Sequence, residues 1–486
     1  MPATIKIDPV TRIEGHLSIE VTVDKVDGQD KVISAQSSGT MFRGFESILQ
    51  GHHPFDAVQI TQRVCGVCPV SHAMASSNAW EKTFAFTPPT NGRVMRNLVL
   101  GANFIQSHIL HFYHLCALDY INTTGILDIA PWSNRYVTPD MVTGGVASTL
   151  VGHYVQALEM RRKAHQMGAI FGGKLPCCAS FAPGGCTEVA TTANVAAFRT
   201  LLNQLRSFID NTFIPDVLAV AGLFPEYYEI GQGCRNMIAY GVFELNSTGT
   251  SKLLRMGKCE NPTSANSNYA ALDVTKIAEY VGYSKYSSPS GLNPAAGQTT
   301  VNSTKPGAYS WIKAPRYENK VFEAGPLARM WVNGDYNRGV SALDRIAARA
   351  LETKKIADAM DGWLTSLTTG AASYSKPAIV ANASGIGLTE APRGALGHWV
   401  ATNSAGNIAR YQILTPTGWN ASPMDDTGQN GAIEQALIGT PVNDMTQPIE
   451  LLRVIHSFDP CLACAVHMLR PDSKKAEVIV PVPCGV

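Results

Sequence analysis

The sequence predicts a mainly α protein with smaller β regions, an α+β chain whose core is a bundle of long helices, with an N-terminal β region and a C-terminal hairpin. Three observations carry that prediction. Stretches 92–122, 141–173, 191–222 and 339–370 hold helical periodicity far beyond the usual globular helix of about 11–12 residues, and four such helices bury their apolar faces most simply as a bundle. The first forty residues alternate with period two through IKIDPV, HLSIEVTVD and KVISAQSS, the mark of half-buried strands. GALGHWVATNSAGNIARYQIL reads as a hairpin turning between Asn403 and Asn407, because Asn, Ser and Gly tolerate the backbone of a tight turn.

In order along the chain, residues 1–60 form the β region and the approach to a first cysteine pair. Residues 61–244 hold that pair, its helix and the first three bundle helices. Residues 245–338 are loop-rich; from about 245 to 320 the composition is Asn, Ser, Gly and Pro (NPTSANSNYA, SSPSGLNPAAGQTT), which predicts a surface excursion with little regular structure. Residues 339–370 supply the fourth bundle helix. Residues 371–467 contain the hairpin, a short helix at GAIEQALIG and a terminal cysteine segment.

Composition narrows the function. Lys and Arg number 39 against 38 Asp and Glu, a formal charge of +1, and no basic block suggests nucleic acid. Only 16% of residues are charged and 45% are hydrophobic, which suits a chain that either hides much of its surface in its own interior or covers it with a partner subunit. The N-terminus shows no signal-peptide pattern, and no apolar run is long enough to cross a membrane. Of 11 cysteines, four fall into two C-x-x-C pairs, Cys65/Cys68 and Cys461/Cys464, at opposite ends of the chain. The other seven show no framework spacing, so reduced thiols binding metal are favoured over a disulfide scaffold. Gly66 permits a tight turn between the first two thiols, and Pro69 with Ser71 suits the first turn of a helix. A helix N-terminus lowers thiol pKa, which prepares sulfur to bind metal. Spacing alone leaves a structural four-thiolate zinc site about as plausible as a catalytic metal. The separation of the pairs and the nearby titratable groups (Arg63, His72, Asp459, His467) favour catalysis.

RVCGVCPVSH from Arg63 and DPCLACAVH from Asp459 resemble the paired signature of nickel–iron hydrogenase large subunits. The resemblance extends through DPVTRIEGHL, MFRGFESIL, SHILHFYHLCALD, EAGPLARMWVN and EAPRGALGHW, in the family's order. MFRGFESIL and the short length are closer to the nickel–iron–selenium subgroup, where selenocysteine stands at the position of Cys461. A respiratory relative of the same fold that has lost the cysteines is disfavoured by the two intact pairs.

The resemblance implies reversible heterolytic cleavage of H2 at a Ni–Fe centre with CO and cyanide on iron. Cys65 and Cys461 would be terminal nickel ligands, and Cys68 and Cys464 would bridge to iron. Heterolysis releases a proton, so a base must stand close by; Cys461 would accept it first and Glu14 would relay it. The bottom-up alternative for Glu14 is an ion pair with a neighbouring arginine. Arg393 would lie above the metals and donate to a cyanide, Asp119 and Asp459 would orient it, and Thr417 would donate to the other cyanide. Glu46, His467 and the main-chain carbonyl of Ile413 would hold Mg2+, or Fe or Ca in its place.

The family further implies a small subunit carrying Fe–S clusters, since this chain has no further cysteine set for one. It also implies nickel-insertion proteins, a maturation protease that removes residues 468–486 after His467, and a periplasmic location reached with the small subunit, with membrane association through a partner. His108, His111 and His114 imitate a ligand ladder, but steps of three turn them over roughly 120° of helix. They read as hydrogen-bonding core histidines. Cys177-Cys178 stands where the family usually has Pro-His and reads as a packing feature.

Overall fold

A computed structural model describes residues 2–127, 133–264 and 266–462. The N-terminal alternation forms an antiparallel meander of β1 (Ala3–Ile7), β2 (Leu17–Val26) and β3 (Gln29–Gly39). Its inward residues Leu17, Ile19, Val21 and Val23 are all buried. After the first cysteine pair comes α1 (Pro69–Thr83), with proline in its first turn, where a missing N–H costs nothing.

The expected bundle is present. It consists of α2 (Thr90–Leu110), α3 (Gly144–Gly172), α4 (Thr192–Phe208) and, after the short α5 (Pro326–Asn333), α6 (Ala342–Ser366). Packing of α2 on α3, α3 on α4, α4 on α6 and α6 on α2 closes the ring. Two expected helices are interrupted. The first leaves α geometry after Leu110, running as a π-turn over His111–Cys116 and a 3-10 turn over Ala117–Asp119. The third widens into a π-turn at Ile209–Phe213 before resuming at Ile214–Leu223. Pro215 explains the second widening, because it cannot donate to the preceding turn and its ring crowds it.

The Asn/Ser/Gly/Pro stretch corrects the expectation of an irregular surface excursion. It contains strands Lys252–Leu254, Gly257–Glu260, Tyr269–Ala270, Ile277–Tyr280 and Ala314–Tyr317. Trp311, Ile312 and Arg316 within it are buried. These strands are too short to show a period, so composition hides them.

The C-terminal hairpin forms as expected and gains a third strand: β4 (Ser384–Ala391), β5 (Gly394–Thr402) and β6 (Ile408–Leu414), antiparallel in that order. The sheet lies directly on α1. At Gly387 an added Cβ would fall 2.0 Å from the Ala75 carbonyl oxygen, so only glycine allows this approach of strand to helix. That contact fixes the β4–β5 turn relative to the helix that begins at the cysteine pair. A last helix, α7 (Ile449–Ser457), delivers the chain to Asp459 and Cys461.

Candidate metal centre

Cys65 and Cys68 flank the turn that enters α1, and Cys461 arrives from the far end of the chain. The three sulfurs all lie within 4.8 Å of one another, and each residue is at most 1% exposed. Cys65 Sγ is 3.2 Å from Cys461 Sγ and accepts the N–H groups of Val67 and Cys68 at 3.3 and 3.2 Å. No disulfide joins them. Buried thiolates this close repel one another unless a cation sits among them. Cys464 and His467 lie outside the described residues, so the fourth sulfur is an expectation from spacing.

Backbone pairing brings the two ends together. Glu14 forms a parallel bridge with Cys461, the Glu14 carbonyl accepts the Leu462 N–H at 2.6 Å, and the Thr417 hydroxyl oxygen accepts the Cys461 N–H at 3.0 Å. The Thr417 proton remains available to a further acceptor. Glu14 Oε1 lies 3.4 Å from the Gly66 N–H. Burial raises the carboxyl pKa of Glu14, Cys65 raises it further, and Arg393 and Arg43 oppose the rise. The carboxyl is therefore suited to hold a proton beside the thiolates.

Arg393 stands in the β4–β5 turn, 1% exposed, with Nη2 2.9 Å from Asp459 Oδ1. The distance makes this an ion pair, but its angle fails hydrogen-bond geometry. Arg393 Nε and Nη2 and both Asp459 oxygens are buried without hydrogen-bond partners among the described residues. Only Nη1 donates, weakly, to Ser107 Oγ at 3.4 Å. Asp459 adopts a left-handed φ of 55°, a conformation that Asp tolerates better than most residues. Asp459 and the three cysteines raise the Arg393 pKa against the opposing effect of burial.

Asp119 is placed elsewhere, and the expectation that it orients Arg393 is corrected. Its oxygens pair with Arg12 and with His456 Nδ1, and the Arg12 charge with these hydrogen bonds holds its pKa down to about 2 despite burial. It ties the N-terminal loop to α7. Ser107, twelve residues earlier, faces Arg393. On a regular helix twelve residues rotate the direction by roughly 120°, and the π-turn between them changes it again. The signal was present in the same motif but named the wrong residue.

Glu46 and Ile413 do meet. Glu46 Oε1 accepts the Ile413 N–H at 2.9 Å, and Oε2 accepts the Thr299 hydroxyl. They line a cavity of about 30 Å³ with Glu279 and Lys313, room for one or two water-sized occupants. Glu279 and Lys313, 3.6 Å apart, were not legible in the sequence, because both lie in the stretch that composition disguises. Arg63 points away, donating to the Gln59 carbonyl. His72 Nδ1 faces His398 Nε2 at 3.2 Å, and burial pushes its pKa down to about 4, so the ring is neutral. The histidine ladder divides as expected: His108 meets Glu352, His111 the His456 carbonyl and His114 the Tyr154 carbonyl. Cys178 is buried in the bundle core.

A buried pocket of converging cysteine sulfurs beside an arginine whose Nε and Nη2 have no partner among the described residues defines a thiolate-ligated metalloenzyme centre. The donor set suits a soft transition metal whose own ligands accept hydrogen bonds. The nickel-dependent hydrogenase family model matches residues 43–138 and 127–467, and a HoxL-like model matches 4–36. The chain belongs to the nickel-dependent hydrogenase family. It is 41% identical to the periplasmic [NiFeSe] hydrogenase large subunit of Desulfomicrobium baculatum, over 98% of this chain and 97% of that one. Identity to the hydrogenase-2 large chain of Escherichia coli K12 is 32%, over 98% and 99%. Among solved structures, the H2-activated [NiFeSe] hydrogenase of Dm. baculatum superposes with a TM-score of 0.90 at 41% identity, covering 96% of this chain and 100% of that chain. The as-isolated oxidised Ni-Fe-Se hydrogenase of D. vulgaris Hildenborough gives 0.90 at 40%, with the same coverage.

Proposed function

We propose that this chain is the catalytic large subunit of a nickel–iron hydrogenase that reversibly splits H2 into protons and electrons. The observation that carries this reading is the meeting of Cys65, Cys68 and Cys461 within 4.8 Å under the unsatisfied donors of Arg393. Those cysteines, with Cys464, would hold nickel, and Cys68 and Cys464 would share iron carrying CO and cyanide. When bound, that group supplies the Lewis acidity that makes H2 acidic enough to part with a proton.

The protein does the rest. Burial excludes water and strengthens each charge interaction in the pocket. Arg393 aims its free N–H groups inward, and the spare Thr417 proton serves the opposite side; both suit anionic ligands on iron. Asp459 balances the Arg393 charge. Cys461 Sγ takes the proton first, as a basic atom beside the reacting centre, and Glu14 receives it. The raised Glu14 pKa keeps that carboxyl able to take up and release a proton. Glu46, Ile413 and His467 would hold Mg2+ or a related ion beneath the site.

The electrons require an exit, so the chain works with a small subunit bearing Fe–S clusters. A relative named as periplasmic supports export with that partner. The family match ends at residue 467, which supports a maturation tail at 468–486, cut after His467 once nickel is loaded. Intact mass of the active enzyme should lack it.

Infrared spectroscopy with metal analysis tests the central claim. Nickel and iron, with stretching bands of metal-bound CO and cyanide and H2/D2 exchange activity, are expected. Zinc with no such bands would replace this reading with a stapled scaffold.

A further inference from the structure

Among the described residues, few polar contacts from its own side chain hold Arg393: one 3.4 Å hydrogen bond and one poorly angled ion pair. Its aim must therefore be set by its backbone. We propose that Arg329 is the positioning residue for Arg393, clamping the bend from which that guanidinium reaches the thiolate pocket. The inference rests on the reading of Arg393 given above.

Arg329 lies on α5 and is fully buried. Nη1 donates to the Ala391 carbonyl at 2.9 Å, and Nη2 to the Pro392 carbonyl at 2.8 Å. These are the two residues immediately before Arg393. The same guanidinium is fixed by Glu352, through Nε at 2.6 Å and Nη2 at 2.7 Å, and by Glu390 at 2.8 Å. Glu390 is itself anchored by the Tyr240 N–H at 2.5 Å, and Glu352 by His108 Nε2 at 2.9 Å. His108 follows Ser107, the one hydrogen-bond partner of the Arg393 side chain among the described residues.

On the other side of the bend, Gly394 has φ 132°, and an added Cβ would lie 2.7 Å from the Gly325 nitrogen. The bend is thus pinned before and after Arg393 by the same helix start. A planar fork with five donors can hold two carbonyls and two carboxylates at once; a lysine ammonium cannot.

A double-mutant cycle on the nickel-loaded enzyme separates aiming from general damage. Arg329→Lys is expected to lower kcat for H2/D2 exchange roughly 10- to 100-fold, the scale of a displaced catalytic group. Nickel and iron content should be retained and the cyanide bands should shift. Arg393→Lys is expected to shift the same bands. The double variant should be no slower than Arg393→Lys alone, because Arg329 acts through it. Losses that multiply, or a slowed Arg329→Lys enzyme with unmoved cyanide bands, overturn the inference while leaving the Arg393 reading intact. An Arg393→Lys enzyme with normal rate and bands overturns both. Should Arg329→Lys fail to load metal, Glu390→Gln replaces it in the same cycle. It loosens one side of the clamp and keeps an oxygen for Tyr240, so a smaller loss with the same non-additivity is expected.

Discussion

Arg329 and Arg393 lie in adjoining parts of one buried region and are used in opposite ways. Arg329 commits all five donors to protein acceptors, whereas among the described residues Arg393 Nε and Nη2 have no hydrogen-bond partner. Buried polar groups are nearly always satisfied, so the difference separates an arginine that holds the fold from one whose donors find no acceptor among the described residues. The carboxylates follow the same division. Glu352 is held by Arg329 and His108 and Asp119 by Arg12 and His456, and both have their pKa lowered to about 2, while the Asp459 carboxylate has no hydrogen-bonded partner among the described residues.

Substitutions should keep these two classes apart. The largest effect is expected from Cys461→Ser, which removes a soft ligand on which the bare donors depend: nickel should fall to background and H2/D2 exchange with it. Full activity with normal nickel would break the assignment of the bare side. Next comes Glu352→Gln on the saturated side. It leaves the Arg329 charge less compensated in a dry interior and should cost about 3–5 kcal/mol of stability, read as a lowered thermal midpoint. Nickel content should be retained, and any loss of rate per loaded nickel should be non-additive with Arg393→Lys, because Glu352 reaches the pocket only through the Arg329 fork.

Acid titration sharpens the same division. Asp119 and Glu352 have folded pKa values below their ordinary ones, so their stabilisation is fully present above about pH 4.5. It is lost as pH falls toward about 2, because the unfolded chain then binds more protons. Each contributes roughly 2–3 kcal/mol at neutral pH. Asp119→Asn should flatten the fall of the thermal midpoint between pH 5 and pH 3; an unchanged acid limb would refute the role of its Arg12 and His456 partners. The smallest effect belongs to Ser107→Ala. A 3.4 Å hydrogen bond is worth less than about 1 kcal/mol, under about 5-fold in rate. A larger loss would mean that Arg393 is aimed by its side-chain contact, and the backbone clamp would be displaced as the explanation.

Legibility followed distance along the chain. The helices, the meander and the hairpin were readable because periodicity and turn chemistry are local, and even the interruption at Pro215 has a local cause. The strands between 245 and 320 were not, since two to four residues carry no period. At the site, Cys65, Cys68, Cys461, Glu14, Arg393, Asp459 and Thr417 lie near one another. Asp119 does not join Arg393, although the motif containing it also contains Ser107, which does.

By itself the sequence determined which chemistry this protein carries: two thiol pairs at chelating spacing, one of them entering a helix, and an arginine in a strand turn. Tertiary structure alone decided which groups meet. It pairs Glu14 with Cys461 through the backbone, lays β4 on α1 at Gly387 and directs Asp119 away from the pocket. The reason is that spacing fixes what neighbours can bind together, while contact between distant residues is set by how helices and strands pack, which no single motif encodes.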